Sequence, residues 1–127
     1  MEPIHITLRG RPITKKNSLR IVKAGKKRKP ISSEQFLVYQ QACLYQLIKA
    51  PKTSEENLNM QCLYYMPTRH RVDLVNLLQA TCDILVKAGI IEDDSSKVIA
   101  GHDGSRVLYD KENPRVEITL SEVCDEG

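Results

Sequence analysis

Apolar residues recur along this chain with two periods. His5 to Arg9 (HITLR) alternates apolar and polar side chains, the period-two pattern of a strand with one buried face. Asn57 to Met66 is dense in Leu, Met, Cys and Tyr and stops at Pro67, which predicts a second strand. Lys97 to Ala100 predicts a short third one. Arg115 to Leu120 (RVEITL) alternates cleanly after the turn dipeptide Asn113-Pro114 and predicts the last. Asp103-Gly104 is compatible with a hairpin or with a plain loop.

Two stretches follow the helical period instead. Ser32-x-x-Gln35 has the form of a capping box and opens a helix that runs to about Lys49, before Pro51. Its expected buried side is Phe36, Leu37, Leu44, Leu47 and Ile48. The second helix spans Asp73 to Ala88, with Gly89 at the position that favours left-handed backbone. Leu74, Leu77, Leu78, Thr81, Leu85 and Ala88 share one face of it. Residues 10–31 hold Gly10, Pro12, Gly25 and Pro30 among many lysines and are expected to be mostly a basic loop, with a short strand at Arg20 to Val22. The order is about β-α-β-α-β-β. It predicts one α+β domain over residues 1–127, with two helices packed on a mostly antiparallel or mixed sheet.

The length of 127 residues suits one core. No apolar run approaches the roughly 18 residues of a membrane span, and MEPIHITLRG has no apolar signal-peptide core. Cys43, Cys62, Cys82 and Cys124 are far apart and form no CxxC pair, which argues against zinc. Cys43 and Cys82 fall inside helix patterns as core thiols, in keeping with a reducing cytoplasm.

Charge is unevenly placed. Residues 1–33 carry ten Lys/Arg against Glu2, a net +9, whereas residues 34–127 carry nine against fifteen Asp/Glu, a net −6. Such a basic segment is either a solvated surface or a polyanion contact.

The acidic residues cluster around the second helix. On a wheel, Asp73, Asn76, Ala80, Asp83 and Lys87 fall within an arc of about 80°, opposite the leucines and expected to be accessible. Asp73 and Asp83 are roughly 15 Å apart along the axis, too far to ligate one ion together. Asp93-Asp94 lies past the helix end, and only a reversal through GIIEDD returns it toward the helix. The same aspartates have an ordinary reading as a helix cap and a turn. Their other reading is an oxygen site for a hard divalent cation.

The segment RHRVDLVNLLQATCDILVKAGIIEDDSSKV resembles the core motif of the RusA-type Holliday junction resolvases. That pattern runs basic residues, D-x-D-N-L-x-K, D-x-L, then G and D-D. It is matched at Arg71, Asp73, Asn76, Leu77, Asp83, Leu85, Gly89, Asp93 and Asp94. A weaker likeness extends to Ile6–Leu8, Pro12 with Asn17 and Arg20, and Ile31 to Glu34. The resemblance implies a small homodimeric endonuclease, bacterial and often phage-encoded. Such an enzyme nicks opposing strands of a four-way DNA junction using Mg²⁺ or Mn²⁺. It carries the ligand role to Asp73 and Asp94, with Asp93 and Asp83 beside them.

Two family positions differ. The second acid of D-x-D is Val75, and the lysine of N-L-x-K is Gln79. They are four residues apart and stack on one helix stripe. Either the site is rebuilt, with Asp83 or Asp93 as the missing acid and Lys87 or Lys97 as the missing cation, or the chain binds branched DNA without cutting it. Cutting of other branched DNA is a third reading.

On the nuclease reading, Lys97 is the candidate for charge stabilisation. Arg69, His70 and Arg71 precede Asp73 and are placed to hold flanking phosphates. Lys15, Lys16, Arg20, Lys27 and Arg28, with their basic neighbours, supply salt-sensitive affinity, and Asn17 contacts a phosphate or base edge or simply shapes a turn. With no Trp and one Phe, broad base-stacking surfaces are not expected. His102 with Asp103 reads as a turn in preference to a metal pair.

Overall fold

The computed structural model describes residues 1–14, 19–24, 27–32 and 34–123, and for 19–32 the backbone alone. The elements are β1 (Ile4–Arg9), β2 (Leu19–Ala24), β3 (Lys27–Ser32), α1 (Glu34–Gln46), β4 (Leu58–Met66), α2 (Leu74–Lys87), β5 (Ile99–Gly101), β6 (Arg106–Tyr109) and β7 (Arg115–Glu122). The fold is α+β, with a five-stranded mixed sheet.

β7 lies between β1 and β4 and is antiparallel to both, with Leu8 opposite Val116 and Cys62 opposite Ile118. β5 and β6 follow one another along the other edge of β4, both parallel to it. A parallel neighbour requires a crossover, and α2 is that crossover. The Asp103-Gly104 turn is therefore not a hairpin but a loop between two segments of one edge. Asn59 clamps it by donating to the Asp103 carbonyl and accepting from the Asp103 N–H.

β4 forms the centre of the core. Leu58, Met60, Cys62, Tyr64 and Met66 are buried in strict alternation. Leu77, Leu78, Thr81 and Leu85 of α2 are buried too, as the leucine face predicts. Inside this contact the Tyr64 and Thr81 hydroxyls meet at 2.7 Å, and Thr81 Oγ1 donates to the Leu77 carbonyl. Tyr64 is therefore the donor of the pair. Burial pushes the Tyr64 phenol far above its ordinary range.

Both ends of α2 are closed locally. Asp73 is the N-cap, accepting from the N–H groups of Val75 and Asn76. At the other end Gly89 sits at φ +76°, and Gly89 N–H bonds Val86 O while Ile90 N–H bonds Leu85 O. This is the Schellman arrangement, and it turns the chain back with Ile90 and Ile91 buried beneath it.

Two expectations are corrected. On α1 the buried side is Phe36, Tyr39 and Cys43, continued by Leu47, while Leu37 and Ile48 are 52% and 67% exposed. The helix presents the 36-39-43-47 stripe to the sheet, so its flanking apolar residues face outward. The stretch expected as a basic loop contains the antiparallel pair β2–β3, with Ala24 opposite Lys27. The short strand expected at Arg20 to Val22 lies within β2; its partner β3 was not expected, because a two-stranded ribbon needs only backbone pairing and its proline and lysine content reads as loop. The side chains of Ser32, Arg20, Lys27 and Arg28, and residues Lys15, Lys16 and Asn17 entirely, lie outside the described residues. So does Cys124; Cys43, Cys62 and Cys82 are buried and unpaired. Among the described residues no helix is long and apolar enough to cross a membrane.

Candidate active site

The exposed stripe of α2 is Val75, Gln79 and Asp83, four residues apart, and not the wider arc that included Ala80. Ala80 is buried, because neighbouring structure covers that flank as well as the leucine face. Val75, in the first turn, is 70% exposed.

The reversal after Gly89 brings Asp94 to the middle of this stripe. Gln79 Nε2 donates to Asp83 Oδ1 at 3.1 Å and to Asp94 Oδ2 at 3.2 Å. One neutral amide thus holds two carboxylates that are eleven positions apart in the chain. Among the described residues neither carboxylate has an ion-pair partner. Their field reaches into the helix: burial, then Cys62, Asp94 and Asp83, push the Cys82 thiol up to about 12.

The other expected residues occupy different places. Asp73 spends Oδ1 on the helix cap, at 2.9 Å from Val75 N and 3.4 Å from Asn76 N, and lies six residues, roughly 9 Å, up the axis from Gln79. Asp93 folds into its own turn, accepting from Ser95 N at 2.7 Å. The Ser95 hydroxyl and N–H hold its carboxyl below the ordinary range, with Lys97 adding to them. Lys97 is 76% exposed and pairs with Glu56 at 3.5 Å. Among the described residues no three His, Cys, Asp or Glu side chains gather closely enough to hold a metal ion by themselves. His102 Nδ1 lies 3.1 Å from the Met60 carbonyl, part of the clamp on β4.

The donor chemistry of the Asp83–Asp94 pair nevertheless fits Mg²⁺ or Mn²⁺. Mg²⁺ keeps several waters and is commonly held by one or two carboxylates plus substrate phosphates. Two adjacent carboxylates held only by a neutral donor leave local negative charge for such an ion to balance.

The basic residues before α2 line a separate concavity. His70 and Arg71 contribute to a groove of about 850 Å³, with Arg9 to Thr14 and the first half of α1 as its other walls. The Arg69 guanidinium lies 4.3 Å from the centre of the Tyr109 ring. The groove escaped the sequence reading because its walls come from three separate segments. The Gln79 bridge was half legible, since Gln and Asp four residues apart on a helix form a known pair.

None of the curated proteins compared matches the chain. The model of the family described as endodeoxyribonuclease RusA matches residues 9–121, a span that includes the groove, the α2 stripe and the turn carrying Asp94. With nearly its whole length matched, the chain belongs to the RusA endodeoxyribonuclease family.

Proposed function

We propose that residues 1–127 form one nuclease domain that resolves four-way DNA junctions by paired nicks in a divalent-metal-dependent reaction, acting as a homodimer. The observation that carries this is the Asp83–Asp94 pair joined by Gln79 on the accessible stripe of α2, within a chain of this family. Asp83 and Asp94 would hold the ion, and Asp73, whose Oδ2 is not used by the cap, would lie on the approach to it and not share it. When bound, the ion lowers the pKa of its water and takes charge from the phosphoryl oxygens. Arg69, His70 and Arg71 fix the phosphates next to the scissile bond. Asp93 shapes the turn that delivers Asp94, and Lys97 adds positive charge beside it. Lys15, Lys16, Asn17, Arg20, Lys27 and Arg28 belong to the basic segment that grips the DNA arms. A junction offers two equivalent strands, and a two-fold dimer meets them with two identical sites. As a DNA-processing enzyme it would work in the cytoplasm.

The test is a synthetic four-way junction incubated with Mg²⁺ or Mn²⁺. Paired symmetric nicks that vanish on chelation support the reading; an intact junction in both ions overturns it. A panel of flaps, forks and duplexes separates junction resolution from cutting of other branched DNA.

One observation favours a second reading, junction binding without cutting. Val75 presents an exposed apolar side chain where the family pattern has an acid. On that reading the Val75→Asp, Gln79→Lys double variant gains cutting that the wild type lacks.

A further inference from the structure

We propose that the groove beside α1 receives an unstacked nucleotide of a DNA strand at the branch point, an inference that rests on the nuclease reading above. The groove is preformed. Arg9 N–H donates to Gln46 Oε1 at 2.8 Å, Gln46 Nε2 returns a bond to the Arg9 carbonyl at 3.0 Å, and Gly10 N–H bonds Pro114 O at 3.1 Å. Gly10 makes the bend at φ +116°, where no Cβ is accommodated without strain. The strap of residues 9–14 is thereby fixed against α1 and the start of β7, and the space between it and residues 66–72 stays open.

The wall and the rim differ in character. Val38, Tyr39 and Met66 line the interior, and Val38 is 63% exposed, an apolar side chain that none of the described residues covers. Arg11 and Arg71 contribute positive charge, outweighing Glu34 together with Arg9. An apolar surface flanked by cations matches a nucleotide: the ring packs on the wall and the adjoining phosphates meet the arginines. A volume of about 850 Å³ falls in the range of small-ligand pockets. Duplex DNA has nothing to place there, because its base faces are covered by their stacking neighbours. A branch point interrupts that stacking, so a base leaves the helix there at least cost. Position supports the same occupant. Val72, which lines the groove, is followed in the chain by Asp73, the N-cap of α2, so a nucleotide held here keeps its strand beside that carboxylate.

The experiment places 2-aminopurine, whose fluorescence is quenched by stacking, either at the branch point or within an arm of a four-way junction, in chelator so that nothing is cut. Binding of wild type is followed in parallel by anisotropy. The expected result is a several-fold fluorescence rise at the branch point and none in the arm. Val38→Asp, at an exposed position that leaves the fold intact, loses the rise at protein concentrations where anisotropy shows the junction saturated, and Arg11→Ala diminishes it. Junction binding without a rise, or an equal rise with Val38→Asp, overturns the groove assignment while leaving the nuclease reading intact. If wild type does not bind the junction, the nuclease reading falls, and a fluorescent oligothymidylate tests the groove alone. Binding of that strand weakened about tenfold or more by Val38→Asp supports the groove, and equal or absent binding overturns it.

Discussion

Gln79 donates to Asp94 across the reversal that follows α2, at 3.2 Å, while the same nitrogen donates to Asp83 at 3.1 Å. The family pattern has lysine at this position. A lysine brings charge as well as hydrogen bonds, whereas the amide brings hydrogen bonds alone. The carboxylates are therefore held together without being neutralised. That arrangement costs free energy in the bare protein and favours a cation from solution.

Gln79→Lys will weaken divalent binding. An ammonium within about 4 Å of a carboxylate interacts with roughly 1 to 4 kcal/mol across surface dielectric values. The added cation also repels an incoming ion, and the expected loss in Mn²⁺ affinity is about tenfold. Calorimetric titration of the DNA-free protein with Mn²⁺ measures it. Unchanged affinity would show that the ion sits elsewhere than between Asp83 and Asp94.

The aspartates will separate by role. Asp94→Asn and Asp83→Asn, which keep size but remove charge, will each lower junction nicking by about a hundredfold or more. Asp93→Asn will cost only a few-fold, because that side chain serves the Ser95 turn. Single-turnover cleavage of one labelled junction ranks the three. Equal losses for all three would contradict the distinct positions of Asp93 and Asp94.

How much of this was legible in advance differs by element. The span of α2 was legible because three local signals agree: the leucine period, the Asp73 cap and the Gly89 stop; its accessible arc was not, since Ala80 is buried. β4 was legible from its Leu, Met, Cys and Tyr content ending at Pro67, and β1 and β7 from period two. The span of α1 was legible too, but its buried face was not in full, because Leu37 and Ile48 are as apolar as the buried Phe36 and Leu47, and only packing chooses between them. Of the β2–β3 ribbon only the first strand was legible, at Arg20 to Val22, and β3 was hidden by a composition typical of loops. In the site, the return of Asp94 followed from the Gly89 turn, but its partner did not. Gln79 looks like a lost lysine in sequence, and its bridging role exists only once a residue fifteen positions away arrives beside it.

The buried hydroxyl pair gives an asymmetric stability prediction. Thr81 donates to Leu77 O, so Tyr64→Phe removes one donor and leaves Thr81 bonded, costing about 1 kcal/mol. Thr81→Val takes the oxygen acceptor from the buried Tyr64 hydroxyl, leaves it only the weakly accepting Cys62 sulfur, and will cost more, about 1 to 3 kcal/mol. Urea unfolding of both variants decides it. The reverse order would mean that Tyr64 finds another acceptor.

The three buried thiols weaken the fold in alkali, ahead of the buried phenols of Tyr39 and Tyr64, which follow at higher pH. Burial raises Cys43 to about 11 and Cys62 and Cys82 to about 12, from an ordinary thiol value of 9.0. A raised acid pKa favours the protonated form in the folded state. The unfolded chain releases its thiol protons first, so stability falls as pH rises above about 9. The loss continues until the folded thiols ionise near 11 to 12. At pH 10 each thiol contributes about 1 kcal/mol to the loss. Below the unfolded value both states hold the proton and the thiols add no slope. Thermal melts at pH 8, 9 and 10 will fall steadily over the upper interval, and Cys82→Ala will flatten the fall while lowering the melting temperature throughout. A pH-independent melt from 8 to 10 would show that the thiols ionise alike in both states, and would undo their assignment to the core.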